Sequence, residues 1–175
     1  MINFCSSCGG KVHVAVPPMD NRPRHICNDC GQVHYQNPKV IVGTLPVFDD
    51  KVLLCQRAIE PRLGFWTLPA GFLENHETAF DGAKRETQEE AGAEFSESQL
   101  YRIYDIPRIS QIYVMYLAKL SSAHVNPGEE SLAAHLFDES EIPWDSLAFP
   151  IMNDILKDFF TDRQQGCFTV AEKVL

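Results

Sequence analysis

The chain has 175 residues, 45% of them apolar and 22% charged, with a net charge of −9. Such a length and balance support one sizeable core plus a small satellite module. The acidic surplus excludes a broad basic field for gripping nucleic-acid phosphates, and the longest apolar runs are strand-sized, far short of the ~20 residues that cross a membrane.

At the amino terminus, Met1 to Cys5 shows neither a basic leader nor an apolar h-region, which points to a cytoplasmic protein. Residues 1–37 read as a turn-rich module with little hydrophobic periodicity. Within it, Cys5-x-x-Cys8-Gly9 and Cys27-x-x-Cys30-Gly31, with 18 residues between the pairs, have the spacing of a four-thiolate zinc ribbon. Each two-residue gap lets both sulfurs of a knuckle face one tetrahedral ion, and the following glycine permits the tight turn. Four thiolates leave no open position, so Cys5, Cys8, Cys27 and Cys30 are expected to hold one structural Zn²⁺ that supplies folding energy. Two disulfides or redox CxxC motifs are the competing account, but they lack an oxidising compartment or a thioredoxin-like context. His13, His25 and His34 are not expected among the ligands.

A second domain is expected over residues 38–162. Val40 to Phe48 is β-rich, Asp49-Asp50 is turn-like and Val52 to Cys55 is again apolar, which predicts a hairpin. After a loop rich in Pro and Gly, Thr78 is placed to cap a helix, with Asp81 three residues on as an acidic capping-box partner and Gly92 as the stop. Phe80, Ala83, Thr87 and Ala91 follow the rhythm of that helix's buried face. Tyr101 to Ile106, Ile112 to Leu120 and Ser131 to Phe137 read as strands, Asn126-Pro127-Gly128 as a turn and Phe149 to Phe160 as a helix. Residues 163–175 form a tail without assignment. This order predicts an α/β (α+β) domain with a mixed sheet between helices.

The chemistry concentrates on the first helix. Gly71 is followed after five residues by Glu77 and, after seven more, by Arg85-Glu86-Thr87-Gln88-Glu89-Glu90-Ala91-Gly92. Glu86 precedes Glu89 and Glu90 by three and four residues, so on a helix their carboxylates crowd one sector within reach of a common point. Glu89 and Glu90 also lie near the helix's negative end, so a cation is expected on that face. Hard oxygen donors suit Mg²⁺ or Mn²⁺, ions that bridge to phosphate oxygens, which makes a phosphoanhydride the natural substrate. A solvated charged face eased by an Arg85–Glu89 pair is the bland alternative, but it leaves the spacing of Gly71, Glu77 and Gly92 to accident.

Gly71 to Ala93 resembles the Nudix box, Gly-x5-Glu-x7-Arg-Glu-U-x-Glu-Glu-x-Gly-U with U bulky and aliphatic; Thr87 and Ala93 stand at the two U positions. The cysteine pairs, followed by His34-Tyr35-Gln36-Asn37-Pro38, resemble the Nudix proteins that carry an amino-terminal zinc ribbon. The resemblance implies a Nudix fold and hydrolysis of a nucleotide's diphosphate linkage. It implies two or more Mg²⁺ or Mn²⁺ ions on Glu86, Glu89 and Glu90, joined by the carbonyl of Ala70, with Glu77 and Arg85 holding loop and helix. It also implies a homodimer. Leu53 to Arg62, Trp66 to Gly71 and Glu141 to Asp145 are similar to the FAD/ADP-ribose pyrophosphatase-like branch. The Ser-Gln-Pro-Trp-Pro-Phe-Pro-type segment of NADH pyrophosphatases has only Arg108 to Tyr113 in its place. A nucleotide derivative such as FAD or ADP-ribose is therefore the expected substrate, with NADH or an NAD-capped RNA end as the alternative. A non-catalytic nucleotide- or RNA-binding module is the rival from another class.

The general base has several candidates: Glu86 or Glu90 on the helix, or Glu129 and Glu130, of which Glu130 is singled out, on the loop after Pro127-Gly128, although acidic turns are common at surfaces. Arg57 and Arg62 are candidate phosphate-binding cations. Trp66, with Phe65, Tyr104 and Tyr113, can stack a flat ring or serve the core.

Overall fold

The computed structural model describes residues 2–175. It divides into one compact unit ending at Pro38 and a second comprising Lys39–Leu175. The first unit is a three-stranded antiparallel sheet of β1 (Val12–Ala15), β2 (Arg24–Cys27) and β3 (Val33–His34), in that order. Its short strands bury little beyond Cys5 and Cys27, so the module has almost no apolar core of its own.

The second unit opens with the expected hairpin, β4 (Lys39–Phe48) and β5 (Lys51–Arg57), followed by the short β6 (Trp66–Thr67) and β7 (Ala70–Phe72). Helix α1 (Ala79–Ala91) comes next, then β8 (Phe95–Ile106), β9 (Gln111–Leu120), β10 (Ser131–Phe137), α2 (Pro150–Gln165) and β11 (Ala171–Val174). The main strand order is β10-β5-β4-β9-β8-β11, with β6 on β5 and β7 on β4. The pairs β4/β9 and β8/β11 are parallel and the others antiparallel, a mixed sheet.

Alternation along β5 shows how the sheet is sandwiched, because successive strand residues face opposite sides. Val52 and Leu54 join a cluster with Ile151, Met152, Ile155 and Phe159 of α2, whereas Leu53 and Cys55 join a second cluster with Ala91 of α1. The two helices therefore cover opposite faces.

Helix α1 has the expected bounds. Thr78 is its N-cap, accepting the Asp81 N–H at 3.1 Å, and Gly92 ends it at φ 57°. The reciprocal half of the capping box is replaced, because Asp81 accepts the Thr78 hydroxyl at 2.7 Å. Ala83, Thr87 and Ala91 are buried as the periodicity predicts, but Phe80 is 38% exposed and packs edge-on to Phe95 and Tyr116 at the rim. The buried Thr87 replaces an aliphatic contact with a polar one. Its hydroxyl donates to the Ala83 carbonyl at 2.8 Å and lies 2.7 Å from the Thr44 hydroxyl, which satisfies both groups in the core.

The segment expected as a tail from residue 163 is structured instead. Helix α2 continues to Gln165, and β11 adds a strand to the sheet beside β8. Lys173 reaches Asp158 at 3.1 Å and Asp154 at 3.3 Å on α2, while Arg102 and Tyr101 meet Asp162 at 2.6 and 2.7 Å. Four residues do not reveal such docking by periodicity, since their partners lie about 70 residues away in β8.

Candidate active site and metal centre

In the amino-terminal unit the four sulfurs of Cys5, Cys8, Cys27 and Cys30 lie within 4.8 Å of one another. Two knuckles make this possible, since strand pairing at β1/β2 brings Val12 opposite Cys27 and so draws the two turns together. Burial opposes ionisation of the Cys5 thiol, but the backbone N–H groups of Ser7 and Cys8 and the His34 ring outweigh it and bring the thiol down to about 6. Backbone N–H groups of Cys30 and Asp29 likewise lower Cys27, against burial. Cys8 and Cys30 are raised instead, against the N–H groups of Gly10 and Gln32, by hydrogen bonds to neighbouring sulfurs; four sulfurs this close together suit a closed tetrahedral Zn²⁺ site. His34 is not one of the four, but its Nε2 lies 3.2 Å from Cys5 Sγ, as an outer group orienting a ligand would.

In the larger unit the carboxylates of α1 face β7 and the loop before β10. Glu86 and Glu90 are largely sequestered, with the Glu86 side chain 13% exposed, while the Glu89 side chain is 60% exposed. All three line one cleft, though their oxygens are spread more widely than the cysteine sulfurs. Among the described residues only the four cysteines gather ligand atoms within 4.8 Å of one another. Arg85 stands between the carboxylates instead, its Nη1 donating to Glu86 Oε1 at 2.6 Å and to Glu89 Oε2 at 3.1 Å. Glu90 turns to the backbone N–H of Ala70 at 3.1 Å. The guanidinium thus supplies the counter-charge that the spacing demands.

Arg85 also donates to both oxygens of Glu77, at 3.0 and 2.8 Å, and to the Phe72 carbonyl at 3.2 Å, which ties the loop to the helix. This contact, with the Glu74 N–H, holds the Glu77 carboxyl down to about 2. Gly71 lies so close to Glu86 that a Cβ there would push the carboxylate away from its place beside Arg85. Burial pushes the Glu90 carboxyl up to about 8, only partly offset by the Ala70 N–H, with the Glu86 charge adding to the rise. Burial also raises Glu86. Carboxylates buried side by side hold a proton or a cation, and hard oxygens beside solvent fit a divalent ion.

A cleft of about 410 Å³ is lined by Glu86, Glu89, Glu90, Gly128, Glu129 and Glu130. Adjoining it, a cavity of about 330 Å³ shares Glu86, Glu90 and Glu130 and continues past Arg57 to Phe72, Tyr113 and Phe149. Arg57 is fixed there, its Nε donating to the Pro61 carbonyl at 2.9 Å and its guanidinium 5.3 Å from the Phe149 ring centre. The structure therefore brings Arg57, Tyr113 and Glu130 to the carboxylates. It does not bring Arg62, which lies over Phe65, or Trp66, which meets Phe137 edge-on at 4.9 Å and packs into the core. Tyr104 is buried and bonded to Asp158 at 3.1 Å. Phe72, Phe149 and Met152 line the cavity without having been singled out in the sequence, because each resembles an ordinary core residue of its own element.

A box-bearing helix on a mixed sheet, with a four-cysteine ribbon in the same chain, defines a protein class, and the family models agree. Residues 37–159 match the model described as NUDIX domain, and residues 3–36 match the zinc-ribbon model described as Nudix N-terminal. The chain belongs to the Nudix family, whose enzymes generally use divalent metals.

Among solved structures it is similar to a Nudix hydrolase from Nitrosomonas europaea, 49% identical with a TM-score of 0.91, over 99% of this chain and 100% of that one. An NAD-capped RNA hydrolase NudC from Vibrio atlanticus is 28% identical over 99% of this chain and 62% of its own length. An ADP-ribose pyrophosphatase from Methanocaldococcus jannaschii is 30% identical over 71% of this chain and 75% of its own length. The chain thus spans about three-fifths of the length of that NudC relative. No helix among the described residues is long and apolar enough to cross a membrane.

Proposed function

We propose that the chain is a divalent-cation-dependent pyrophosphohydrolase that cleaves the diphosphate linkage of a nucleotide derivative, with ADP-ribose or FAD preferred. The observation that carries this reading is the continuity of one cavity from the buried pair Glu86 and Glu90, through Arg57, to the aromatic walls of Phe72, Tyr113 and Phe149. A substrate with two phosphates joined to a flat ring matches that sequence of surfaces. The likeness to a relative named ADP-ribose pyrophosphatase supports the same class.

In this reading Glu86, Glu89 and Glu90, with the carbonyl of Ala70, would hold Mg²⁺ or Mn²⁺. When bound, such ions neutralise phosphate charge and make water a better nucleophile. Arg85 keeps Glu86 and Glu77 in register through the bonds described above. Arg57, already oriented by Pro61 and Phe149, presents its remaining N–H groups to a phosphate oxygen. Glu130, on the cleft wall, accepts the proton of the attacking water. The water oxygen joins one phosphorus, the P–O bond to the bridging oxygen breaks, and two phosphate-terminated fragments leave.

A second reading, hydrolysis of an NAD-capped RNA end, is favoured by one observation, the match to NudC along 99% of the chain. The net charge of −9 and the small number of cations beside the cavity speak for a small nucleotide instead. The test is turnover of ADP-ribose, FAD, NADH and NAD-capped RNA with Mg²⁺, for wild type and for Glu86→Gln and Glu89→Gln. ADP-ribose or FAD is expected to be cut fastest, and each variant is expected to lose about 100-fold or more. Full activity in both variants would remove the proposed metal site.

A further inference from the structure

The loop before β10 lies against the carboxyl end of α1, and we propose that Gly128 is a positioning residue for Glu130. This role rests on the pyrophosphohydrolase reading above. The last carbonyls of α1 are met by this loop, Asn126 N–H donating to Ala91 at 2.7 Å and Gly128 N–H to Glu90 at 3.3 Å. On the far side the Gly128 carbonyl accepts from Ser131 N–H at 3.0 Å, and the Glu130 carbonyl accepts from Ala58 N–H at 2.8 Å.

Gly128 sits so close to the helix that a Cβ would fall on the Glu89 carbonyl oxygen and within 3.0 Å of its carbon. Both obstacles are backbone, so no rotamer change relieves the collision. Side-chain electrostatics do not draw the loop here. Glu129 and Glu130 add negative charge to a cleft already lined by Glu86, Glu89 and Glu90, at the negative end of a helix dipole. The backbone bonds and the missing side chain of Gly128 hold the two glutamates against that repulsion. A methyl group at residue 128 lifts the loop and carries Glu130 away from the reacting water. Tyr113 on β9 and Phe149 at the start of α2 are anchored on other elements and keep their places.

The experiment compares wild type, Gly128→Ala, Glu130→Gln and the double variant for ADP-ribose turnover with Mg²⁺ across pH, beside Mn²⁺ binding by electron paramagnetic resonance without substrate. Gly128→Ala is expected to lower kcat about 100-fold, as a displacement of roughly 1 Å does, with KM within about 3-fold of wild type. Its pH profile should lose the same limb as that of Glu130→Gln, the double variant should be no slower than Glu130→Gln, and Mn²⁺ binding should stay within about 3-fold of wild type, because the carboxylates that would hold the ion lie on α1. Wild-type kcat in Gly128→Ala, or multiplying losses in the double variant, would overturn the proposal. Should Gly128→Ala not fold, Pro127→Gly loosens the loop without adding volume, and an unchanged kcat there overturns it equally. A wild-type chain that cuts no nucleotide refutes the pyrophosphohydrolase reading, whereas a Gly128→Ala chain whose pH profile keeps the limb that Glu130→Gln loses refutes the positioning role by itself.

Discussion

The hydroxyl pair of Thr44 and Thr87 offers a sharp test of how the core accepts a polar residue where the Nudix box has an aliphatic one. Both side chains are fully buried, and Thr87 donates its only hydroxyl hydrogen to the Ala83 carbonyl, so Thr44 must donate to Thr87. Valine is nearly isosteric with threonine but lacks the hydroxyl. Thr87→Val strands the Thr44 donor away from water and is expected to cost about 1–3 kcal/mol. Thr44→Val leaves Thr87 bonded to Ala83 and should cost only about 0.5–1.5 kcal/mol. Replacing both removes donor and acceptor together, so the double variant should return to within about 1 kcal/mol of wild type. Urea unfolding followed by tryptophan fluorescence is a suitable assay, since the chain's two tryptophans, Trp66 and Trp144, lie in the Lys39–Leu175 unit. Destabilisations that simply add in the double variant, within about 0.5 kcal/mol, would refute the mutual bond.

Two other measurements bear on the charged sites. Burial holds the Glu90 carboxyl up to about 8, against 4.5 for the free side chain, so the folded chain binds a proton that the unfolded chain releases. That contribution is present in full below about pH 4.5, is lost as pH rises through about 8, and corresponds to roughly 5 kcal/mol. Melting without added divalent ions should therefore fall between about pH 5 and about pH 8, and Glu90→Gln should flatten the fall; an equal slope in the variant would count against it. For the ribbon, the purified chain should carry about one zinc, and Cys8→Ser should lose both the ion and the folded amino-terminal unit while the Lys39–Leu175 unit keeps its melting transition. A Cys8→Ser chain with unchanged ribbon protection in hydrogen exchange would refute the structural role.

Sequence spacing alone determined the features that depend on near neighbours. Cysteine pairs with two residues between them bring four sulfurs together, Thr78 and Gly92 bound α1 through their own backbone preferences, and Gly71, Glu77 and Arg85 to Glu90 identify the box. The hairpin of β4 and β5 was legible for the same reason. Only the tertiary structure decided matters that join distant segments: the parallel pairing of β4 with β9, the docking of β11 on β8, and the meeting of Phe149 with Arg57 beside Glu90. Strand propensity specifies a pleated surface but not its partner, so neither the sheet order nor the cavity walls follow from local pattern. The charge balance was hidden likewise. A helical spacing says that three carboxylates share a face, but burial, the Ala70 N–H and the reach of Arg85 decide which are sequestered and which stays in water. Desolvation is a property of the surroundings, and those are assembled only when the chain has folded.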